Sequence, residues 1–375
     1  MFAFPRAGNI SQRRGEQQVK NQGTRFGTRC RSHDTFHLWS AESLTNFRLM
    51  KSAKLPVACL LFMSPLIGEY LLGSLPASMI ALLPLMMAMY GAGAILIRET
   101  VRHTGGGWAA IVLLATAYGL FEEGFVTQSL FNPNYLHLRL LDFGFLPLLG
   151  TALPWAIFVV SIHAVWSITV PIALVESAFP ARRDLPWLGT LGRVLYALAF
   201  LAGCTLIAVF SYKQTPFMAT PMQFGVVGAL IIGLCVTAFK LPKPKAMPAK
   251  AAPHGSVLFL VSFLAGSAFM LAGRRAESEW HMSWPGVVAL ALGIEAVFAV
   301  FVVAKTRDGT WDEPRRFALM AGAFLVYAWI GFLTDISLHG TADLVGHSII
   351  AAILCAALVV IGVRVEKRSV AAKKC

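Results

Sequence analysis

The sequence predicts an all-α fold, a polytopic transmembrane helix bundle with about ten spans and both termini cytoplasmic. Three observations predict it. Of 375 residues, 57% are hydrophobic and 14% charged, with a mean hydropathy of +0.66, a balance foreign to soluble domains. The apolar residues gather in runs of about 20, the length that crosses the hydrocarbon core. Lys and Arg alternate between loops in the manner of the positive-inside rule.

In chain order the runs lie at roughly 55–73, 77–97, 107–130, 150–178, 189–211, 223–239, 256–273, 285–304, 316–337 and 344–363. The fourth is long and is expected to tilt or break at Pro171, which lacks an N–H. The sixth carries Gly225, Ala229 and Gly233, a row of small residues that would allow close helix packing. With both ends inside, segments such as 98–102, 182–193, 240–250, 305–316 and 364–374 hold most of the basic residues. The outside segments hold Arg139, Lys213, Arg274 and Arg275. The net charge of +13 therefore reads as contact with anionic membrane lipids and excludes a nucleic-acid role.

Residues 1–49 are polar and rich in Arg, Gln, Ser and Asn, which predicts a disordered basic segment. Met50 opens MKSAKLPVACLLF, the form of a translation start, so this segment is equally expected to be untranslated in the natural protein. Residues 240–255, rich in Pro, Lys and Ala, read as a linker between a six-span part (50–239) and a four-span part (256–375). Cys59, Cys204, Cys235 and Cys355 fall within spans and no CxxC occurs, so neither a disulfide framework nor a zinc knuckle is implied. There is no phosphate-binding Walker motif and no GxSxG elbow. With no organelle signal in view, the expected location is a bacterial inner membrane.

Ionisable groups at membrane depth are costly and usually face a protein interior or a water-filled cavity. Here they are Glu69 in span one, Glu122 and Glu123 with Thr127 and Gln128 in span three, and His163 with Ser167 in span four. Glu176 lies at the inner end of span four and Glu295 midway in span eight. Asp335, His339, Asp343 and His347 bracket the turn between spans nine and ten. Spans three and four run antiparallel and are expected to be neighbours, which sets Glu122, Glu123 and His163 at similar depth. Gly119, Glu123 and Thr127 share one helical face, and Tyr118 and Glu122 the adjacent one.

A carboxylate and an imidazole meeting across two helices suit either a divalent metal such as zinc or general acid–base work on water. Glu122, Glu123 and His163 are the catalytic candidates; His163, His339 and His347 are the candidate metal ligands. Glu69, Thr127, Gln128, Asp335, Asp343 and Glu295 complete the candidate set. The same residues also suit interhelical hydrogen-bond glue. Asn132 and Asn134 beside Pro133 read as turn formers.

The stretch GLFEEGFVTQSLF resembles the first motif of the CPBP intramembrane proteases, the CAAX-protease and bacteriocin-processing group, EExxxR. Gly119, Glu122 and Glu123 match it, and Thr127 stands where that family has arginine. The second motif, FxxxH, is met by His163 with Phe158 one residue too distant. His339 and Asp343 fit the third, His-xxx-Asn/Asp, but far downstream. The resemblance implies a helical membrane bundle in which Glu122 or Glu123 activates water. His163, with a second histidine, would bind metal or stabilise the oxyanion. Three readings follow: a CPBP-like intramembrane hydrolase acting on a peptide or small-molecule substrate, a non-enzymatic transporter or permease with a carboxylate relay, and a structural membrane protein.

Overall fold

The computed structural model describes residues 54–244, 248, 250, 252–275, 280–307 and 309–374. The readings of residues 1–49 and of Met50 lie outside the described residues, as does part of the 240–255 segment. Among the described residues, ten helices are long and apolar enough to cross a membrane. They are α1 (Lys54–Leu71), α2 (Ala77–His103), α3 (Trp108–Val126), α4 (Leu153–Ala178) and α5 (Thr190–Gln214), then α6 (Pro221–Lys240), α7 (Gly255–Arg274), α8 (Trp284–Thr306), α9 (Glu313–His339) and α10 (Leu344–Ala372). A two-residue hairpin, β1 (Phe145–Leu146) and β2 (Thr151–Ala152), closes the loop before α4.

Burial divides the helices by role. α4 is central, with Ile168, Val170, Ile172, Leu174 and Val175 all fully buried. One core joins α4 to α1, α7 and α9 through Ile67, Trp166, Met270, Phe324, Tyr327 and Ile330. A second lies between α1, α2, α3, α4 and α5, around Leu60, Ile95, Ile111, Ala115 and Ile168. Helices on both sides of residues 240–255 thus share the first core. α6 and α8 expose large apolar side chains such as Ile232 and Val297, as helices facing lipid must.

The structure corrects three local expectations. The Gly225–Ala229–Gly233 row does not support close packing, because Gly225 and Gly233 have nothing within contact distance among the described residues. α6 meets α3 through Val227, two residues along from Gly225. α3 stops at Val126 rather than near 130, because Gln128 adopts a left-handed conformation with φ 56° and turns the chain. The Gln128 side chain fastens this turn by accepting the Ala219 amide at 2.8 Å.

α4 does not break at Pro171. It widens just before it, into a π-helical segment over His163–Thr169. A proline removes the N–H that would serve the carbonyl four residues earlier. That carbonyl belongs to Ser167, and it accepts the Ser64 hydroxyl of α1 at 2.6 Å.

Candidate functional site

Four π-helical segments occur among the described residues: Leu66–Leu71, Met87–Gly91, Glu122–Val126 and His163–Thr169. Each carries a member of one polar cluster: Glu69, Tyr90, the Glu122–Glu123 pair, and His163 with Ser167. Such one-turn widenings within α-helices recur at functional sites because they redirect a side chain out of register. Here they turn polar groups of α1, α2, α3 and α4 toward a common centre.

Gly119 brings α3 and α4 together. A Cβ at this position would lie 3.0 Å from the Val160 carbonyl and 3.2 Å from His163 Cβ. This close approach sets His163 between the two glutamates. Its Nε2 lies 2.7 Å from Glu123 Oε1, and its Nδ1 lies 3.4 Å from Glu122 Oε2 and 3.3 Å from Ser167 Oγ. Glu122, Glu123 and His163 are only 2%, 5% and 5% exposed. Two carboxylates flank one imidazole, an arrangement that holds an imidazolium well where water is excluded.

Each remaining carboxylate oxygen is addressed by hydroxyls. Glu123 Oε2 accepts Thr127 Oγ1 at 2.9 Å and also the hydroxyl of Ser129. Trp155 Nε1 in turn donates to Ser129 Oγ at 3.2 Å. The Tyr90 hydroxyl contacts both Glu69 Oε1, at 2.5 Å, and Glu122 Oε1. Ser74 donates to Glu69 Oε2 at 2.6 Å. One phenolic proton cannot serve two carboxylates, so the Glu69–Tyr90–Glu122 bridge requires a second proton on one of the acids. Glu122 Oε2 and the Tyr118 hydroxyl, both buried, face each other but make no well-formed hydrogen bond among the described residues. Buried polar atoms are normally satisfied, so these two mark where a water or a reacting group would be held. Tyr135, in the loop between α3 and α4, has its hydroxyl pushed well up, by burial first and then by Glu123.

Glu122, Glu123 and His163 each offer a ligand atom, and the three atoms lie within 4.8 Å of one another. That donor set suits a divalent ion such as zinc.

A family profile described as an uncharacterized membrane protein family matches residues 58–373. The chain belongs to that family. No curated protein and no solved structure matches the chain. No CPBP family profile matches, so the motif resemblance stands on its residues alone.

In this family member, the other sequence candidates fall in separate places. His339 and His347 do not join the Glu122–Glu123–His163 group. His339 Nε2 lies 3.3 Å from the Ser74 carbonyl, and His347 is buried in the first turns of α10 against Phe332. Asp343 accepts the amides of Ala77 and Ser78 and so caps the start of α2. Glu295 accepts the Ser161 hydroxyl on the opposite side of α4. Asn132 shapes its turn as expected, accepting the Asn134 amide at 3.0 Å.

Sequence reasoning did not reach Tyr90, Ser129 and Ser74, and placed Tyr118 only on the helical face of Glu122. A tyrosine inside MMAMYGAGA carries no signal of its own; only the packing of α2 against α1 and α3 reveals it. It also read Arg98 and Arg102 as loop charges. Both are buried. Arg98 pairs with Glu99 at 2.6 Å and Glu176 at 3.1 Å, and Arg102 grips Glu176 through two nitrogens at 2.8 and 2.6 Å. Glu99 also accepts the Trp187 and Leu188 amides, and Arg98 stacks 3.6 Å above the Trp187 ring. This balanced network ties α2, α4 and the segment before α5 together.

Proposed function

We propose that the chain is an intramembrane hydrolase of CPBP-like type whose chemistry is carried by Glu122, Glu123 and His163. The observation that carries this reading is the pair Glu123 Oε1–His163 Nε2 at 2.7 Å, beside the buried Glu122 Oε2, which makes no hydrogen bond and lies 3.4 Å from His163 Nδ1. A dyad fixed by one carboxylate, next to a second carboxylate with a free lone pair, is the equipment of general acid–base catalysis. In this mechanism Glu123 orients the imidazole. Glu122 takes a proton from the attacking water, and His163 returns a proton to the leaving amine of a peptide substrate. Tyr118, whose ring meets His163 edge-on at 6.5 Å, donates its hydroxyl to the developing oxyanion. A zinc ion held by Glu122, Glu123 and His163 would supply a more acidic bound water. Thr127 replaces the arginine of the resembling motif by a neutral hydrogen bond to Glu123, so the centre is tuned by hydroxyls rather than by a cation. A bacterial inner membrane is the location this reading assigns.

The test is cleavage of a panel of single-span peptides in detergent by wild type, Glu123→Gln and His163→Ala, with metal content measured on the same samples. Loss of cleavage by about 10²-fold or more in Glu123→Gln, with normal insertion, supports the reading. Full activity in Glu123→Gln ends it.

A second reading is favoured by the Glu69–Tyr90–Glu122 bridge, which extends the centre into a proton relay fit for a transporter. Proton flux in liposomes that is lost in Tyr90→Phe, without any peptidase activity in wild type, would select it.

A further inference from the structure

We propose that Asp335 of α9, His347 of α10 and the carbonyl end of α1 form a binding site for a monovalent metal cation, separate from the Glu122 centre. Asp335 is fully buried, and neither of its carboxylate oxygens has a hydrogen-bond partner among the described residues. The same holds for Nε2 of the buried His347. Three unsatisfied polar atoms within one helix junction are costly to bury, and a bound ion removes that cost.

The backbone around them is arranged for close approach. A Cβ at Gly331 would collide with the Leu71 carbonyl and lie 3.0 Å from His347 Nε2. A Cβ at Gly73, where φ is +77°, would lie 2.7 Å from the Gly331 carbonyl and 3.0 Å from Asp335 Cβ. The Leu71 carbonyl and His347 Nε2 thus approach each other at Gly331, and the Asp335 segment approaches the Gly331 carbonyl at Gly73, so two glycines keep these groups in one junction. The amides of Gly73, Ser74 and Leu75 turn back to the carbonyls of Glu69 and Tyr70, so the Leu71 carbonyl receives none of them. The exposed carbonyls of a helix C-terminus carry partial negative charge and attract cations. The His347 ring faces the Tyr70 backbone. Its Nε2 has no hydrogen-bond partner among the described residues and so is open to a ligand. Its ring is fixed edge-on against Phe332, 4.7 Å between centroids.

Charge decides the valence. Asp335 supplies one negative charge, His347 ligates as a neutral ring, and Asp343 is already engaged by the Ala77 and Ser78 amides. One carboxylate plus carbonyls neutralises a hard monovalent ion such as sodium, whereas a divalent ion would leave a buried net charge. Helix C-terminal carbonyls beside a carboxylate are a recurrent way to hold sodium at membrane depth.

The experiment is saturable binding of radioactive sodium to the detergent-purified full chain, at ionic strength held constant with choline chloride. Wild type, Asp335→Asn, His347→Gln and Asp343→Asn are compared, with the thermal unfolding midpoint read on the same samples. The proposal expects saturable binding and a sodium-dependent rise in midpoint in wild type and Asp343→Asn. Binding falls at least tenfold in Asp335→Asn and weakens in His347→Gln. If Asp335→Asn fails to fold, His347→Gln carries the comparison. Absence of saturable sodium binding in wild type, or binding undiminished in folded Asp335→Asn or His347→Gln, overturns it. Because no residue of the Glu122 centre is altered, neither result bears on the hydrolase reading.

Discussion

The Ser64 hydroxyl of α1 donates at 2.6 Å to the Ser167 carbonyl of α4, the acceptor that Pro171 leaves without a helical donor. This single bond links three features: the proline, the π-helical segment over His163–Thr169, and the seat of His163 against α1. A proline thus loosens α4 at the depth where the site needs a redirected histidine, and a serine of the neighbouring helix satisfies the carbonyl it frees.

Ser64→Ala should therefore destabilise the protein by about 1–2 kcal/mol, the cost of a buried acceptor without a donor. Unfolding midpoints in detergent check this. The larger effect is expected on the site, since α4 loses its local tether to α1. A variant as stable as wild type would show that the widened turn satisfies Ser167 by itself.

Gly119→Leu should separate α3 from α4. Even a Cβ here meets the Val160 carbonyl at 3.0 Å and His163 Cβ at 3.2 Å. Overpacking of this kind costs about 1–3 kcal/mol. A shift of about 1 Å between Glu123 and His163 would lower any catalytic rate by about 10²-fold. Peptide cleavage by Gly119→Ala and Gly119→Leu should fall in that order.

Tyr90→Phe keeps the ring and removes the hydroxyl shared by Glu69 and Glu122. The two acids then lose their bridging donor, and stability should fall by about 1–3 kcal/mol. Infrared spectra in the carboxylic-acid carbonyl region give a direct check. Wild type should show a protonated carboxyl that changes on the substitution, and an identical spectrum would count against a proton shared through Tyr90.

Glu176→Gln should be the most damaging of these changes. It leaves the buried Arg98 with Glu99 alone, and the buried Arg102 without its only carboxylate partner among the described residues. Breaking one partner of a buried charged network costs about 3–5 kcal/mol. Poor membrane yield or a steep drop in unfolding midpoint is expected, with no selective effect on substrate handling. Wild-type stability in Glu176→Gln would mean that the network contributes little.

Much of the bundle was legible in the sequence because its cause is local. Crossing a bilayer takes a run of apolar residues, and a run is visible in one dimension. The same locality made the Glu122–Glu123 pair and His163 stand out, since ionisable groups in such runs are costly. The pairing of spans three and four followed from chain order, and the structure brings Glu123 and His163 into contact.

What the sequence could not hold is which face of each helix points where. Helix rotation is set by packing between segments far apart in the chain, and here four π-helical turns alter it locally. That is why Glu69 belongs to the centre, joined through a tyrosine that nothing in its local sequence singles out, while Glu295 sits across α4 from it. It is also why Asp343 caps a helix and its neighbours Asp335 and His347 are buried. The sequence by itself determined that the chain is a many-span membrane bundle with costly polar groups inside. Only the tertiary structure decided which of those groups meet, because contact between them depends on glycine close approaches, a proline-freed carbonyl and the rotation of packed helices.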